Sequence, residues 1–342
     1  MSSIFRVGVT PDFQTQARGL LEPALAQVLG GCEWDFLPDT GPAAAAGALE
    51  QYDAVIALAL AFPAESLAGV ERLAVIARWG VGYDRIDVPA CTANDVMLAI
   101  TPEAVRRPVA EGIFALIFSL AKNLRRLDAL CRAGQWREGL PRTSQNLEGK
   151  TLGSIGAGNI AGEMFGMARA LRFGRLLAYD PLISAAPEGV ELVGLQTVMR
   201  ESDFVAVNCL LNDQTRNLIG ARELGWMKPT AHLINTARGP IVNEMALIAV
   251  LREGRIAGAG LDVFETEPVP PDNPLLRMDN VIVAPHAIAW TQETFRDNSL
   301  YACGNVLAVA QGQAPRHVVN REVLERPGMQ AKLARLRDRR TV

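Results

Sequence analysis

The chain of 342 residues is long for one hydrophobic core and natural for two domains, and 49% of it is hydrophobic, enough to fill both. A formal net charge of −3 gives no electrostatic attraction to nucleic acid, and the basic stretch from Lys332 to Arg340 reads as a solvated terminal helix. The five cysteines (Cys32, Cys91, Cys131, Cys209 and Cys303) form no CxxC or Cys/His spacing, so neither a disulfide framework nor a metal site is expected; reduced thiols in a cytoplasmic protein are.

In chain order, short β-branched runs alternate with alanine- and leucine-rich stretches, the pattern of parallel sheets joined by crossover helices. The start, Met-Ser-Ser-Ile-Phe-Arg-Val-Gly-Val, has no signal-peptide apolar core and runs straight into a strand. Phe5–Val9, Tyr52–Ala57 and Ala74–Ala77 are expected strands of a first α/β unit, with a short helix over the alanine-rich Ala43–Glu50. A long helix over Val105–Asn123 is apolar on most faces and so expected between domains; its longest apolar run, Gly112–Ala121, falls far short of the ~20 residues that cross a bilayer. From Leu152 a second unit begins with a strand, a glycine turn, a helix and the strand Leu176–Tyr179. The strands Phe204–Val207, Ala231–Ile234, Gly258–Leu261 and Val281–Val283 follow. The tail from about Trp290 is helical again and could return to the first unit.

Three segments carry chemistry: Asn235-Thr236-Ala237-Arg238-Gly239, Asp262-Val-Phe-Glu265-Thr-Glu267-Pro268 and Ala284-Pro285-His286. Each lies beside an apolar run, and together they offer a fixed cation, a carboxylate and an imidazole. Such a set can hold a 2-oxo acid and move one proton while a cofactor moves a hydride. Of three histidines, His232 sits in an apolar run and His317 in the polar tail, leaving His286 as the best-placed acid/base.

The turn opening the second unit reads Gly156-Ala-Gly158-Asn159-Ile160-Ala161. A glycine pattern alone is weak, but here it follows a strand and starts a helix. Gly156 permits the tight turn, Gly158 lets a pyrophosphate approach the backbone, and the helix N-terminus offers amide donors. Asp180, 22 residues beyond Gly158, can accept from ribose hydroxyls and would repel a 2′-phosphate, so NAD is expected over NADP; the alternative is a turn-forming Asp-Pro.

With these motifs in order, the chain resembles the D-isomer-specific 2-hydroxyacid dehydrogenases, the family of D-lactate, glycerate/hydroxypyruvate, phosphoglycerate and formate dehydrogenases. The resemblance runs over nearly the whole chain and is strongest from Gly153 to Thr291. It implies two doubly wound parallel-sheet domains, a Rossmann NAD-binding domain inserted into a flavodoxin-like substrate domain. The implied division is 1–120 (substrate domain, first part), 121–289 (NAD binding) and 290–342 (helical return). It further implies a homodimer acting on a small 2-oxo/2-hydroxy acid, with no nucleic-acid or membrane partner.

By the same resemblance, Arg238 holds the substrate carboxylate and carbonyl, a role suited to a planar, permanently charged fork. Glu267 partners His286, with Glu265 as the competitor at that motif. The amides of Val81 and Gly82, in Arg78-Trp-Gly80-Val81-Gly82-Tyr83-Asp84, grip the substrate carboxylate. The implied cofactor contacts are Gly156, Gly158, Asn159, Ile160, Asp180, Asn208, Cys209, Thr215, Thr236, Ala237, Asp262 (beside the nicotinamide carboxamide) and His286. Two segments depart from the family. Asn208-Cys-Leu-Leu-Asn-Asp-Gln-Thr215 stands where His-x-Pro-Leu-Thr is frequent, and Arg106-Arg107 enter the long helix where other members are uncharged. Arg107 is expected to face substrate because Pro108 could open the helix and leave its predecessor extended, giving a preference for oxo acids with a distal oxygen-rich group. Trp290 either shapes the substrate pocket or packs at the hinge. The competing function is an NAD-responsive corepressor or scaffold of this fold, against which the intact Arg238, Glu267 and His286 argue.

Overall fold

In the computed structural model, which describes residues 4–139 and 144–338, Arg6–Val9 (β1), Glu33–Phe36 (β2), Ala54–Ala57 (β3), Val75–Arg78 (β4) and Met97–Ala99 (β5) form one parallel sheet in the order β2-β1-β3-β4-β5. This is the flavodoxin-like order expected from the sequence. Alternation along each strand fills two cores. Val7, Val9, Ala54, Ile56, Val75, Ala77 and Met97 pack against the helices Arg18–Leu29, Gln292–Ala310 and Pro327–Asp338. Val55, Ala57, Ile76 and Leu98 face the other way, onto Phe62, Leu67, Leu73 and Cys91. The helical return of the chain therefore completes this unit's core. Of the basic terminal stretch, the helix Pro327–Asp338 covers the part up to Asp338, while Arg339 and Arg340 lie outside the described residues, as do Met1–Ser3 at the start.

The second sheet has seven parallel strands: Thr151–Ile155 (β6), Arg175–Tyr179 (β7), Glu191–Leu192 (β8), Phe204–Val207 (β9), His232–Asn235 (β10), Gly258–Leu261 (β11) and Val281–Val283 (β12). Their order, β12-β11-β10-β9-β6-β7-β8, reverses between β6 and β9. In an open parallel sheet that reversal opens a crevice at the carboxyl ends of the strands. All four residues of β9, β10 and β11 are buried, as continuous apolar runs covered on both faces require.

The compact units are Met1–Val105 with Thr291–Val342, and Arg106–Trp290. The expected boundary at residue 120 thus moves to 105. The helix Pro102–Ala121 crosses that boundary, and its Ala110, Ile113, Phe114 and Ile117 share a core with Leu152, Phe165 and Phe204. Two further differences have local causes. Ala43–Glu50 forms turns, broken at Gly47 with φ +78°, rather than a helix. The strands β2, β5 and β8 escape a hydrophobic-run reading because they are short, and β2 and β8 carry charge. No helix among the described residues is long and apolar enough to cross a membrane.

Candidate active site

β10, β11 and β12 are parallel neighbours in register, with Asn235 beside Leu261 and Leu261 beside Val283. The three segments singled out in the sequence therefore leave one end of the sheet side by side. After β10, Asn235 clasps its own turn: Nδ2 donates to the Arg238 carbonyl at 3.0 Å, and Oδ1 accepts the Ala237 amide at 3.1 Å. Arg238 follows in an extended conformation, with Nη1 donating to the Ala237 carbonyl at 2.7 Å. Gly239 permits a close backbone crossing, since a Cβ there would lie 1.9 Å from the Phe264 carbonyl carbon. The cation-bearing turn and the acidic loop are pressed together at that point.

Within the acidic loop, Glu267 faces the histidine: His286 Nδ1 lies 2.8 Å from Glu267 Oε2, and Oε1 accepts the Phe264 amide at 3.0 Å. Burial pushes the Glu267 carboxyl up, but the hydrogen bond and charge of His286, the Phe264 amide and the charge of Arg238 outweigh it and leave the group below its ordinary value. Glu265, the competitor, is engaged elsewhere. It accepts the Glu244 amide at 3.0 Å while its own amide donates to Glu244 at 3.1 Å.

His286 adopts φ +55°, a left-handed conformation that non-glycine residues seldom take. Asp262 holds it there: its carbonyl accepts the His286 amide at 2.8 Å, and Oδ1 accepts the amides of Ala287 at 2.9 Å and Ile288 at 3.1 Å. Burial raises the Asp262 pKa against the opposing pull of those amides and of His286. The other histidines are placed otherwise. His232 is buried and stacks on Phe204 at 5.3 Å between ring centroids, and His317 hydrogen-bonds Glu103.

The glycine turn lies at the β6–β9 reversal. Gly156, with φ +97°, lies so close to the Asn208–Cys209 peptide that a Cβ would approach within 2.7 Å. Gly158 caps the helix Asn159–Ala170 without a side-chain bond, and a Cβ there would meet open space. The first amides of the helix, at Asn159 and Ile160, are thus presented beside a turn with room for a pyrophosphate. Asp180 borders the turn, with Oδ2 accepting the Ala157 amide at 3.0 Å and Oδ1 accepting that of Leu182 at 3.0 Å. Asn208, the departure from histidine, braces the turn from below: Nδ2 donates to Ser154 Oγ at 2.9 Å, and Ser154 Oγ to the Gly156 carbonyl at 2.6 Å. The Thr215 hydroxyl closes its own loop onto the Leu210 carbonyl at 2.6 Å. Burial pushes the Cys209 thiol up to about 11, which keeps it neutral. By contrast, the buried Thr236 Oγ1 has no hydrogen-bond partner among the described residues. An orphaned hydroxyl next to Ala237 and Arg238 fits a polar group of a bound dinucleotide.

Leu182 and Leu210, exposed at 88% and 52%, lie just past β7 and β9. Large exposed apolar side chains at these strand ends could pack against an apolar ring. Only burial exposes them, since leucine after a strand carries no signal of its own.

Two expectations need different treatment. Arg107 does not precede the helix. The helix starts at Pro102, Pro108 lies inside it, and the Arg107 guanidinium binds Glu111 at 2.6 Å and Glu163 at 3.2 Å. The premise that pointed Arg107 at substrate is corrected. Trp290, at the end of the second unit, is half-exposed, with its amide on the Ala287 carbonyl at 2.9 Å. In the first unit, the amides of Val81 and Gly82 donate to no acceptor among the described residues.

Residues 114–287 match the family model described as D-isomer specific 2-hydroxyacid dehydrogenase, NAD binding domain. A glyoxylate reductase of Korarchaeum cryptofilum is 36% identical over 92% of this chain and 98% of its own. A solved glyoxylate reductase from Paecilomyes thermophila shares 26% identity with a TM-score of 0.81, covering 93% of this chain and 99% of that one. A D-lactate dehydrogenase from Aquifex aeolicus, solved with NAD and lactic acid, shares 25% identity with a TM-score of 0.78 over 92% and 99% of the two chains.

Proposed function

From the premise that this chain belongs to the D-isomer-specific 2-hydroxyacid dehydrogenase family and is an NAD-dependent oxidoreductase of 2-hydroxy acids, we propose that His286, paired with Glu267, is its general acid and base. The observation that carries this reading is the 2.8 Å contact from His286 Nδ1 to Glu267 Oε2. It commits one ring nitrogen to the carboxylate, while Nε2 takes no partner among the described residues. In the reducing direction Nε2–H donates its proton to the substrate carbonyl oxygen as that oxygen becomes an alkoxide; in oxidation Nε2 takes the proton back. Glu267 supplies the counter-charge to the imidazolium. Arg238 lies in the neighbouring turn and offers a guanidinium to the carboxylate and carbonyl oxygens, and the Val81 and Gly82 amides offer a second carboxylate grip. NAD supplies or accepts the hydride. Gly156, Gly158, Asn159 and Ile160 would hold its pyrophosphate, Asp180 its ribose, Leu182 and Leu210 its adenine, and Thr236, Ala237 and Asp262 its nicotinamide end.

The names of the relatives favour a short oxo acid, so glyoxylate is the first substrate to test. The double pairing of Arg107 removes the reason to expect a distal oxygen-rich group. A homodimer is the assembly we favour. Phe118, Leu124, Leu127 and Trp136 are exposed along one stretch of the nucleotide-binding unit, Trp136 at 66%, and a second copy would cover them. A reducing, cytoplasmic setting is supported by five free thiols, two of them buried.

The direct test follows NADH absorbance with glyoxylate, pyruvate and hydroxypyruvate, then NAD reduction with D- and L-glycerate. Turnover confined to the D-hydroxy acid and the 2-oxo acids is expected. Turnover of L-glycerate alone, or none with any oxo acid, would sink the reading.

A further inference from the structure

Beneath the Val81–Gly82 loop lies an arginine to which nothing above gives a role. β4 ends at Arg78, whose side chain turns back under the loop that follows. Its Nε donates to the Gly82 carbonyl at 2.7 Å, and Nη1 donates to the Trp79 carbonyl and lies 3.5 Å from that of Ala57. Gly80 rests on the guanidinium: with φ +127°, a Cβ there would come within 3.3 Å of Arg78 Nη1. Thr101 pins the same residue from another side. Its Oγ1 accepts the Gly80 amide at 2.8 Å, and its amide donates to the Gly80 carbonyl at 3.0 Å. Thr101 is itself fixed by a 2.6 Å hydrogen bond to Asn298 Oδ1.

A trans peptide points its C=O and N–H in opposite directions. The one cis bond among the described residues is Glu267–Pro268, outside this loop. With the Gly80 carbonyl turned to Thr101 and the Gly82 carbonyl turned to Arg78, the amides of Val81 and Tyr83 must point the other way. Neither these nor the Gly82 amide meets an acceptor among the described residues. The Val81 and Tyr83 amides thus face away from carbonyls drawn inward by Thr101 and Arg78, with a permanent positive charge behind them.

We propose that Arg78 is a positioning residue for carboxylate recognition: its guanidinium ties the Trp79 and Gly82 carbonyls inward and so braces the loop that carries the Val81 and Gly82 amides, and its fixed charge makes the loop select an ionised carboxylate over an uncharged one. This rests on the reading that the loop takes the substrate carboxylate. Arginine suits the place because it offers five donors in a rigid fork and never deprotonates, so it holds several carbonyls without losing charge. Thr101 props the same loop but carries no charge, which separates the two effects.

The test compares glyoxylate with methyl glyoxylate, whose carboxyl group is esterified, in the full-length protein with NADH. Arg78→Met should raise KM for both substrates, about 10- to 100-fold more for glyoxylate than for the ester, the range of a charge-assisted contact, with kcat little changed. Thr101→Val, which loosens the loop without removing charge, should weaken both substrates together. Arg78→Lys should restore most of the preference for glyoxylate. Equal losses on both substrates in Arg78→Met would make Arg78 a prop only and overturn the proposal, as would no loss. If Arg78→Met fails to bind NADH by fluorescence titration, Arg78→Lys decides. It must weaken both substrates alike while keeping the glyoxylate preference, and loss of that preference overturns the charge role. A wild-type protein that reduces 2-oxo acids yet does not prefer glyoxylate over its ester would overturn the carboxylate reading of the loop itself, and this inference with it.

Discussion

Asp262 holds His286 in place through three amides. Its carbonyl accepts the His286 amide at 2.8 Å, and its buried Oδ1 accepts the next two amides at 2.9 and 3.1 Å. The turn is costly, since a left-handed conformation costs an L-residue roughly 1–2 kcal/mol, so the ring is aimed at Glu267 only while the clamp holds. Asp262→Ala should lower kcat by about 10- to 100-fold, whereas Asp262→Asn, which keeps an Oδ1 acceptor, should lose much less. Equal losses in both variants would show that the charge of Asp262 matters and the clamp does not.

The pairing of Glu267 with His286 sets the pH response. His286→Ala should lower kcat by about 10²- to 10⁴-fold with NADH affinity little changed. Glu267→Gln removes the counter-charge to the imidazolium, so the alkaline limb of oxo-acid reduction should move to lower pH. Stability should respond with a defined sign. The folded Glu267 pKa is depressed, so its contribution is fully present above the ordinary carboxylate value of about 4.3 and is lost as pH falls through the lower folded value. The Tm gap between wild type and Glu267→Gln should therefore be widest near neutrality and close in acid. A pH-independent gap together with an unmoved activity profile would count against the pair.

Much of this site is legible in the sequence because parallel strands deliver their following residues to one edge. Once β10, β11 and β12 are recognised as apolar runs, Arg238, Glu267 and His286 must emerge together. Residue type alone does not separate Glu265 from Glu267, which the family resemblance favours: both stand in the same loop, and Glu244 occupies the first. Arg107 shows the opposite failure. The rule that proline opens helices placed it wrongly, because Pro108 sits inside a helix that packing of Ala110, Ile113 and Ile117 carries through. Arg78 stands in the quoted motif, yet no pattern of residue types discloses that its guanidinium curls beneath its own loop.

Cofactor choice is read from Asp180, whose two oxygens accept one amide of the glycine turn (Ala157) and one of its own loop (Leu182) and keep further lone pairs for ribose hydroxyls. A phosphate beside this carboxylate would be repelled. kcat/KM for NADH should exceed that for NADPH, and Asp180→Ser should narrow the gap. A wild-type protein using both equally well would remove Asp180 from that role.

Arg107 provides the sharpest test of what the structure changed. Its guanidinium binds Glu111 one helical turn on and Glu163 of the helix Asn159–Ala170, so two carboxylates already offset its charge. For a distal phosphate or carboxylate to recruit it, at least one of these contacts would have to break, and the incoming group would meet two negative charges beside the one positive. Arg107→Ala should therefore leave KM for glyoxylate and for hydroxypyruvate unchanged relative to each other, within about threefold. Removing the cation should instead leave Glu111 and Glu163 without their shared partner, an effect read as a small, salt-sensitive drop in Tm. A selective rise in KM for hydroxypyruvate, with glyoxylate unaffected, would return Arg107 to the substrate and show that the ion pairs open in turnover.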